Sequence, residues 1–475
     1  MSSRLVEPTD KECEIENMRY LPLTEDEKTR ILEKCGVGSF EELTPNIPEE
    51  LRVKGLLNLP SRMSEAELLE TLEKLSSINK GAWMQNHLGQ GVYDHTCPTW
   101  IDQILGRGEF LTSYTPYQPE VTQGTLQGIF EFQSMIAELF GMEVSNASLY
   151  DGATAVLEAV LMAVRTRKNN KPIVYISEGT YDNTRKILES CLPDMGIEVR
   201  TWWADPKSLE STPETFENDC GGAPAAIVLQ SPNRWGVVED WAGLDSVAKK
   251  ENARSVAYVS HALSLGIFSP PGEHDIDIAV GEGQALGIPP GFGGPHLGLF
   301  CCKKADIRQM PGRLVGHTED ARGQQAFCVT LSTREQHIRR EKATSNICSN
   351  QNLMALKAAM YMTAMGPEGL SKLGKGLRSR IFYLRTAIEN KFKEKNIPHQ
   401  VVQGELFNEL TIMVGPKHSL WVDEKITQAQ DQGILIGLDV SVPRSSGCVR
   451  GLNIAVTERH YQSDLDKLVE ILGES

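Results

Sequence analysis

The stretch Asp277-Ile-Ala-Val-Gly-Glu-Gly-Gln-Ala-Leu-Gly-Ile-Pro-Pro-Gly-Phe-Gly-Gly-Pro-His-Leu-Gly298 joins a short apolar strand candidate, residues 276–280, to a loop dense in Gly and Pro. Such loops bring backbone close to a ligand or to another backbone, because Gly carries no Cβ and Pro fixes φ. No lysine stands between Lys250 and Lys303. The loop has the build of a binding loop that lacks a reactive amine.

Apolar runs at 172–177, 197–202, 225–230 and 255–260 precede this stretch, and another at 296–301 follows it. Helical patterns at 181–190 and 244–250 lie between them. Apolar runs separated by helices predict an α/β domain with a mostly parallel sheet covered on both faces. Ligands in such sheets sit beyond the carboxyl ends of the strands. Further upstream, Ser148-Leu149-Tyr150-Asp151-Gly152-Ala153-Thr154 is a small-residue turn feeding a helix over 153–164. The free N–H groups and dipole of a helix start suit a phosphate, but an Asp at the turn and the missing lysine argue for an empty site.

The flanks complete a three-part organisation: a helical arm over 1–80, a large α/β domain over 81–350, and C-terminal helices with a small α/β domain over 351–475. In the arm, Thr24 with Glu27, Ser39 with Glu42 and Ser64 with Glu67 have capping-box spacing, and three short helices are predicted. A helix over 124–140 is stopped by Gly141. Long helices over 353–365 and 370–393 are divided by Gly366-Pro367, and strands at 400–402, 409–414, 434–437 and 452–456 with a helix over 461–472 form the last unit.

Two polar stretches stand out. Tyr114-Thr115-Pro116-Tyr117-Gln118-Pro119-Glu120 holds two tyrosines between prolines, which suits either a pre-formed site wall or a buried tyrosine pair. Residues 333–351 set Arg334, Arg339, Arg340 and Lys342 beside Thr344, Ser345 and Asn346, a combination that can hold a phosphate or carboxylate or form a solvated helix face.

The 475 residues carry a net charge of −15, which argues against nucleic acid or an anionic membrane as partner. Ten scattered cysteines without a CxxC pair, and Glu7, Asp10, Glu12, Glu14 and Glu16 near the start, predict a cytoplasmic protein with reduced thiols. The apolar windows are too short to cross a bilayer. The ten histidines show no metal-ligand spacing.

Residues 114–124, 146–155 (Asn-Ala-Ser-Leu-Tyr-Asp-Gly-Ala-Thr-Ala) and 335–351 closely resemble the glycine-cleavage P-protein family, and weaker similarity runs from about 20 to 458. The likeness is to the alpha chain (subunit 1) of the form split into two subunits. It implies the fold of the type-I pyridoxal-phosphate-dependent transferases and a part in glycine dehydrogenase (aminomethyl-transferring) activity. There glycine joins pyridoxal phosphate on a beta subunit, CO2 leaves, and the aminomethyl group passes to the lipoyl arm of H-protein. Counting back from Pro295 against the family loop puts Gln284 where the cofactor's lysine stands, and Ser260-His261 replaces the carboxylate expected at a strand end. No residue of this chain alone is then a catalytic Schiff-base former. The implied assembly is α2β2, with Tyr114, Tyr117, Gln118, Thr344, Ser345 and Asn346 facing the partner's cofactor and substrate pocket. The sequence departs from the family near 442–451, at Pro443, Arg444 and Arg450. Two rivals are a self-sufficient aminotransferase or decarboxylase using Lys303 or Lys304, and a catalytically silent scaffold subunit.

Overall fold

The structure, a computed structural model, describes residues 23–54, 57–61, 63–167, 172–291, 293–347, 349–442 and 449–474. The acidic run from Glu7 to Glu16 and the departing residues Pro443 and Arg444 lie outside these. The described residues fall into two compact units, divided between Asn79 and Lys80.

In the first unit, α1 (Glu25–Cys35) and α2 (Glu65–Ile78) start at Thr24 and Ser64. Both expected capping boxes close: the hydroxyl accepts the N–H three residues on, and the Glu there accepts the cap's own N–H. The third spacing, Ser39 with Glu42, does not cap a helix. Glu42 accepts from the Gly38 N–H instead, and only a single 3₁₀ turn, Glu41–Leu43, forms there.

The second unit is built on a seven-stranded sheet. In chain order its strands are β1 (Val144–Ser145), β2 (Ile173–Ser177), β3 (Glu198–Trp202), β4 (Ala226–Ser231), β5 (Arg254–Val259), β6 (Ile278–Glu282) and β7 (Gly298–Cys302). Their spatial order is β1-β7-β6-β5-β4-β2-β3, with β2 to β6 mutually parallel and β7 antiparallel to both neighbours. Side chains alternate between two apolar layers. Ile227, Leu229, Ala257 and Val259 face one, Val228, Val256 and Tyr258 the other. Two-sided burial explains why these strands read as unbroken apolar runs. Each fully buried aliphatic chain contributes ~1.5–3 kcal/mol to the core.

Helix α3 (Gln123–Leu139) lies on the first face with Phe132 and Ile136 buried, and α4 (Gly152–Arg167) covers the second with Ala155, Val156, Ala159 and Ala163. Around the sheet run α5 (Asp182–Cys191) and α6 (Trp241–Lys250). Beyond β7, strands β8 (Leu314–Glu319) and β9 (Gln325–Thr330) form an antiparallel hairpin that the sequence did not announce. It is held to α3 by two glutamines. Gln133 exchanges two hydrogen bonds with the backbone of Val315, and Gln123 does the same with Phe327.

The long helix α7 (Asn352–Lys395) breaks at Gly366, whose φ of 61° and ψ of 174° leave the helical region just before Pro367. It leads into an antiparallel sheet of β10 (Gln400–Val401), β11 (Glu409–Val414), β12 (Leu438–Val442) and β13 (Val449–Ala455) in the order β10-β11-β13-β12. Helices α8 (Leu420–Asp431), which the sequence pattern did not reveal, and α9 (Gln462–Gly473) complete this part. Arg450, one of the departing residues, is pinned between Asp423 and Asp439.

Candidate functional site at the strand ends

The segment 85–97 ties the C-terminal sheet to the large one. Gln85 and Asn86 pair in parallel with Ile434 and Leu435, the His87 carbonyl accepts from the Ala455 N–H, and Tyr93 then reaches the loop after β6. There it meets Gln284, which is fully buried. The amide of Gln284 accepts from the Tyr93 N–H at 2.9 Å and donates to the Tyr93 carbonyl at 2.9 Å and to the Ile288 carbonyl. Every polar atom of that side chain is thereby engaged with backbone.

Beside it opens a cavity of about 370 Å3, lined by Gln90, Tyr150, Asp151, Asn183, Glu282, His296 and neighbouring residues. It lies at the carboxyl ends of the parallel strands and at the start of α4, where the topology predicts a ligand. The helix start is not free. Asp151 accepts from the Thr154 N–H at 2.7 Å, and Glu282, at the end of β6, accepts from the Gly152 N–H at 2.9 Å. The other oxygen of Glu282 accepts from the N–H groups of Gln284 and Leu297, and His296 Nδ1 sits 3.3 Å from its carboxylate. That hydrogen bond raises the imidazole above its ordinary pKa, against the effect of burial.

At the end of β5, Ser260 donates to the Pro232 carbonyl and His261 lies under the Tyr93 ring. His261 meets His95 at 3.1 Å between their Nε2 atoms, and His95 in turn meets Glu458 at 2.7 Å through Nδ1. Burial first, and His95 second, push the His261 imidazole well below its usual pKa, so it is neutral. The His95 hydrogen bond holds the Glu458 carboxyl down to about 2, although burial works the other way.

Pyridoxal phosphate needs an amine, a carboxylate for its ring nitrogen and a vacant anion cradle. The strand ends around the cavity offer the buried amide of Gln284, a serine with a neutral histidine, and a helix start already satisfied by two carboxylates. The residues present do not fit that cofactor. Lys303 does not repair this. It is bound to the Asp275 carbonyl and Asp277, and the β6–β7 register, Glu282 opposite Gly298 and Ile278 opposite Cys302, puts it at the far end of the sheet. At ~3.4 Å per strand residue that is more than 10 Å away.

Of the predicted interface residues, Tyr117, Thr344 and Ser345 come together around Arg313. Tyr114 is 85% exposed and Tyr117 52%, so they are not a buried pair. Gln118 is also exposed. Arg313, a buried residue at the start of the hairpin, donates to the Tyr117 hydroxyl at 3.2 Å and to Asn350, and Asn350 donates to Ser148 beside the α4 turn. Thr344 and Ser345 line a narrow cleft with Arg313 and Arg334. The structure therefore joins Tyr117 to Thr344 and Ser345 through Arg313, a residue outside the polar stretches 114–120 and 333–351. Asn346 stands outside the cleft, exposed, accepting from Gln336. The four cations of 334–342 do not converge on one ligand. Arg334 is turned inward onto the carbonyls of Met310, Gly312 and Leu331, while Arg339, Arg340 and Lys342 are exposed. Among the described residues no group of three or more His, Cys, Asp or Glu side chains is placed to hold a metal ion, and no helix is long and apolar enough to cross a membrane.

Solved structures share this architecture. A sphingosine-1-phosphate lyase from Burkholderia pseudomallei superposes with a TM-score of 0.63 at 14% identity, over 90% of this chain and 93% of that one. A Lactobacillus brevis glutamate decarboxylase gives 0.64 at 11%. These likenesses show the fold, that of the type-I pyridoxal-phosphate enzymes. A crystal structure of glycine decarboxylase (P-protein) of the glycine cleavage system, in inhibitor-bound form, matches with a TM-score of 0.80 and 39% identity over 96% of this chain and 99% of that chain. A probable glycine dehydrogenase (decarboxylating) subunit 1 from Rhodospirillum centenum is 41% identical over 462 residues, 96% of this chain and 99% of the relative. One from Solibacter usitatus is 44% identical over 82% of this chain and 85% of its own length. The family model of the glycine cleavage system P-protein matches residues 18–472, and with identity of this order over nearly its whole length the chain belongs to that family.

Proposed function

We propose that this chain is the alpha subunit, subunit 1, of a two-subunit glycine dehydrogenase (decarboxylating), working as α2β2 in the cytoplasm with the lipoylated H-protein. Glycine is its complex's substrate, CO2 one product, and the aminomethyl group goes to the lipoyl arm. Pyridoxal phosphate is held covalently by the second subunit and not by this chain. The observation that carries this reading is that Gln284, the residue that counting along the family loop sets against the lysine, is an amide locked to backbone. Relatives named subunit 1 support a second subunit as partner. Among the described cysteines, the free thiols of Cys35, Cys97, Cys191, Cys301, Cys302 and Cys328 support a reducing compartment.

In this reading Tyr114, Tyr117, Gln118, Thr344, Ser345 and Asn346 face the partner's cofactor and substrate. The exposure of the tyrosines and the Arg313 link between Tyr117 and the Thr344 cleft support it. The functional division of the chain follows the boundaries 1–80, 81–350 and 351–475.

The test is borohydride reduction of the purified chain with pyridoxal phosphate, alone and then mixed with the second subunit. A reduced cofactor adduct that appears only in the mixture, on the second subunit, with glycine decarboxylation gained, is the expected result. An adduct on a lysine of this chain alone overturns the reading in favour of a self-sufficient enzyme.

A further inference from the structure

We propose that Glu282 is a built-in counter-ion that occupies the anion cradle at the start of α4, so that this chain shuts phosphate and phosphorylated cofactors out of its own cavity. The inference rests on the reading above that this is the subunit without the lysine, and deepens it: the site is closed by a residue and not merely deprived of one.

The start of a 16-residue helix is a ready anion site, since its first N–H groups lack intrahelical acceptors and the dipole favours negative charge. Here a carboxylate from a neighbouring strand end takes that place. Glu282 is 6% exposed, and its two oxygens accept from the N–H groups of Gly152, Gln284 and Leu297. A buried carboxylate is costly unless its lone pairs are filled and a counter-charge is near. Three backbone donors and His296, 3.3 Å away, meet both conditions. The arrangement ties three pieces together: the end of β6, the turn into α4, and the loop that returns through His296 to β7.

Gly152 leaves no slack for an additional group. A Cβ there would stand 2.8 Å from the Tyr258 hydroxyl and 3.0 Å from Glu282 Cβ. An incoming phosphate would have to displace Glu282 from the Gly152 N–H and then remain beside it and Asp151, both negative. Like charges at such spacing repel strongly in a partly buried site.

The experiment titrates the full-length chain with inorganic phosphate by calorimetry and 31P NMR, comparing the wild type with Glu282→Ser, after circular dichroism has shown the variant folded. No saturable uptake by the wild type, at least tenfold tighter binding by Glu282→Ser, and phosphate density at the Gly152 amide in crystals of the variant are expected. Glu282→Gln, which keeps the shape and one acceptor while removing the charge, gains in the same direction by a smaller factor and serves if the serine variant does not fold. Saturable phosphate binding at α4 in the wild type overturns the proposal, as does a folded variant that stays as inert as the wild type. Either result leaves the subunit assignment standing, because that assignment falls only to a borohydride-reduced adduct on this chain.

Discussion

The side chain of Gln284 and the backbone of Tyr93 exchange two hydrogen bonds of 2.9 Å each, 191 residues apart in sequence, and the pair is buried. Gln284→Ala orphans the N–H and carbonyl of Tyr93 in the core, and the loss is about 3 kcal/mol in urea denaturation at unchanged m. Gln284→Lys returns an amine but no acceptor for the Tyr93 N–H. It destabilises similarly and yields no borohydride-reduced cofactor adduct while Glu282 remains. A loss below roughly 0.5 kcal/mol for the alanine variant counts against the clamp.

Tyr117→Phe keeps the exposed ring and removes only the hydroxyl that accepts from Arg313. Thr344→Ala strips a hydroxyl from the cleft beside it. If these groups serve the partner's site, either change lowers glycine decarboxylation by the reconstituted complex about tenfold or more, the equivalent of ~1.4 kcal/mol or more in the transition state. The chain's own stability stays within roughly 0.5 kcal/mol. Full activity in both variants favours the silent scaffold.

His87 and His460 stack with ring centroids 3.9 Å apart, His87 donating from Nδ1 to the Ala455 carbonyl and His460 accepting at Nδ1 from the Thr457 N–H. Burial first, and His460 second, lower the His87 pKa to about 3 from an ordinary 6.5. The unfolded chain therefore binds this proton across the interval from 6.5 down to 3 and the folded chain does not. The stability due to a neutral His87 is complete above pH 6.5 and drains away as pH falls toward 3. Denaturation midpoints should drop over that window, and His87→Gln should flatten the slope.

Gln133→Leu removes the amide that bridges α3 to Val315 and leaves that strand's N–H and carbonyl without it. The expected loss is about 2 kcal/mol. Because the hairpin begins next to Arg313, the variant should also weaken assembly with the second subunit, read by analytical ultracentrifugation.

Six of the seven strands of the large sheet were legible because burial on both faces writes itself as an unbroken apolar run, as in Ala226–Ser231 and Ile278–Glu282, while the two-residue β1 was not. The break in α7 was legible for an equally local reason, since Gly366-Pro367 cannot continue a helix. The β8–β9 hairpin was not. From His317 onward only Phe327 is buried, and the hairpin's attachment comes from glutamines on a helix 182 and 204 residues earlier. In sequence Gln123, Gln133 and Gln284 look like polar interruptions of apolar patterns, yet each completes a distant backbone edge.

The sequence by itself determined the α/β class, the family and the absence of an amine in the 277–298 loop, because these depend on residue identity and local order. Only the tertiary structure decided that Glu282 reaches the first N–H of α4, that Arg313 joins Tyr117 to the cleft of Thr344 and Ser345, and that Lys303 lies at the wrong end of the sheet. Those facts depend on which strand ends share an edge, and strand order and direction are fixed by long-range packing of the two apolar layers rather than by any stretch read alone.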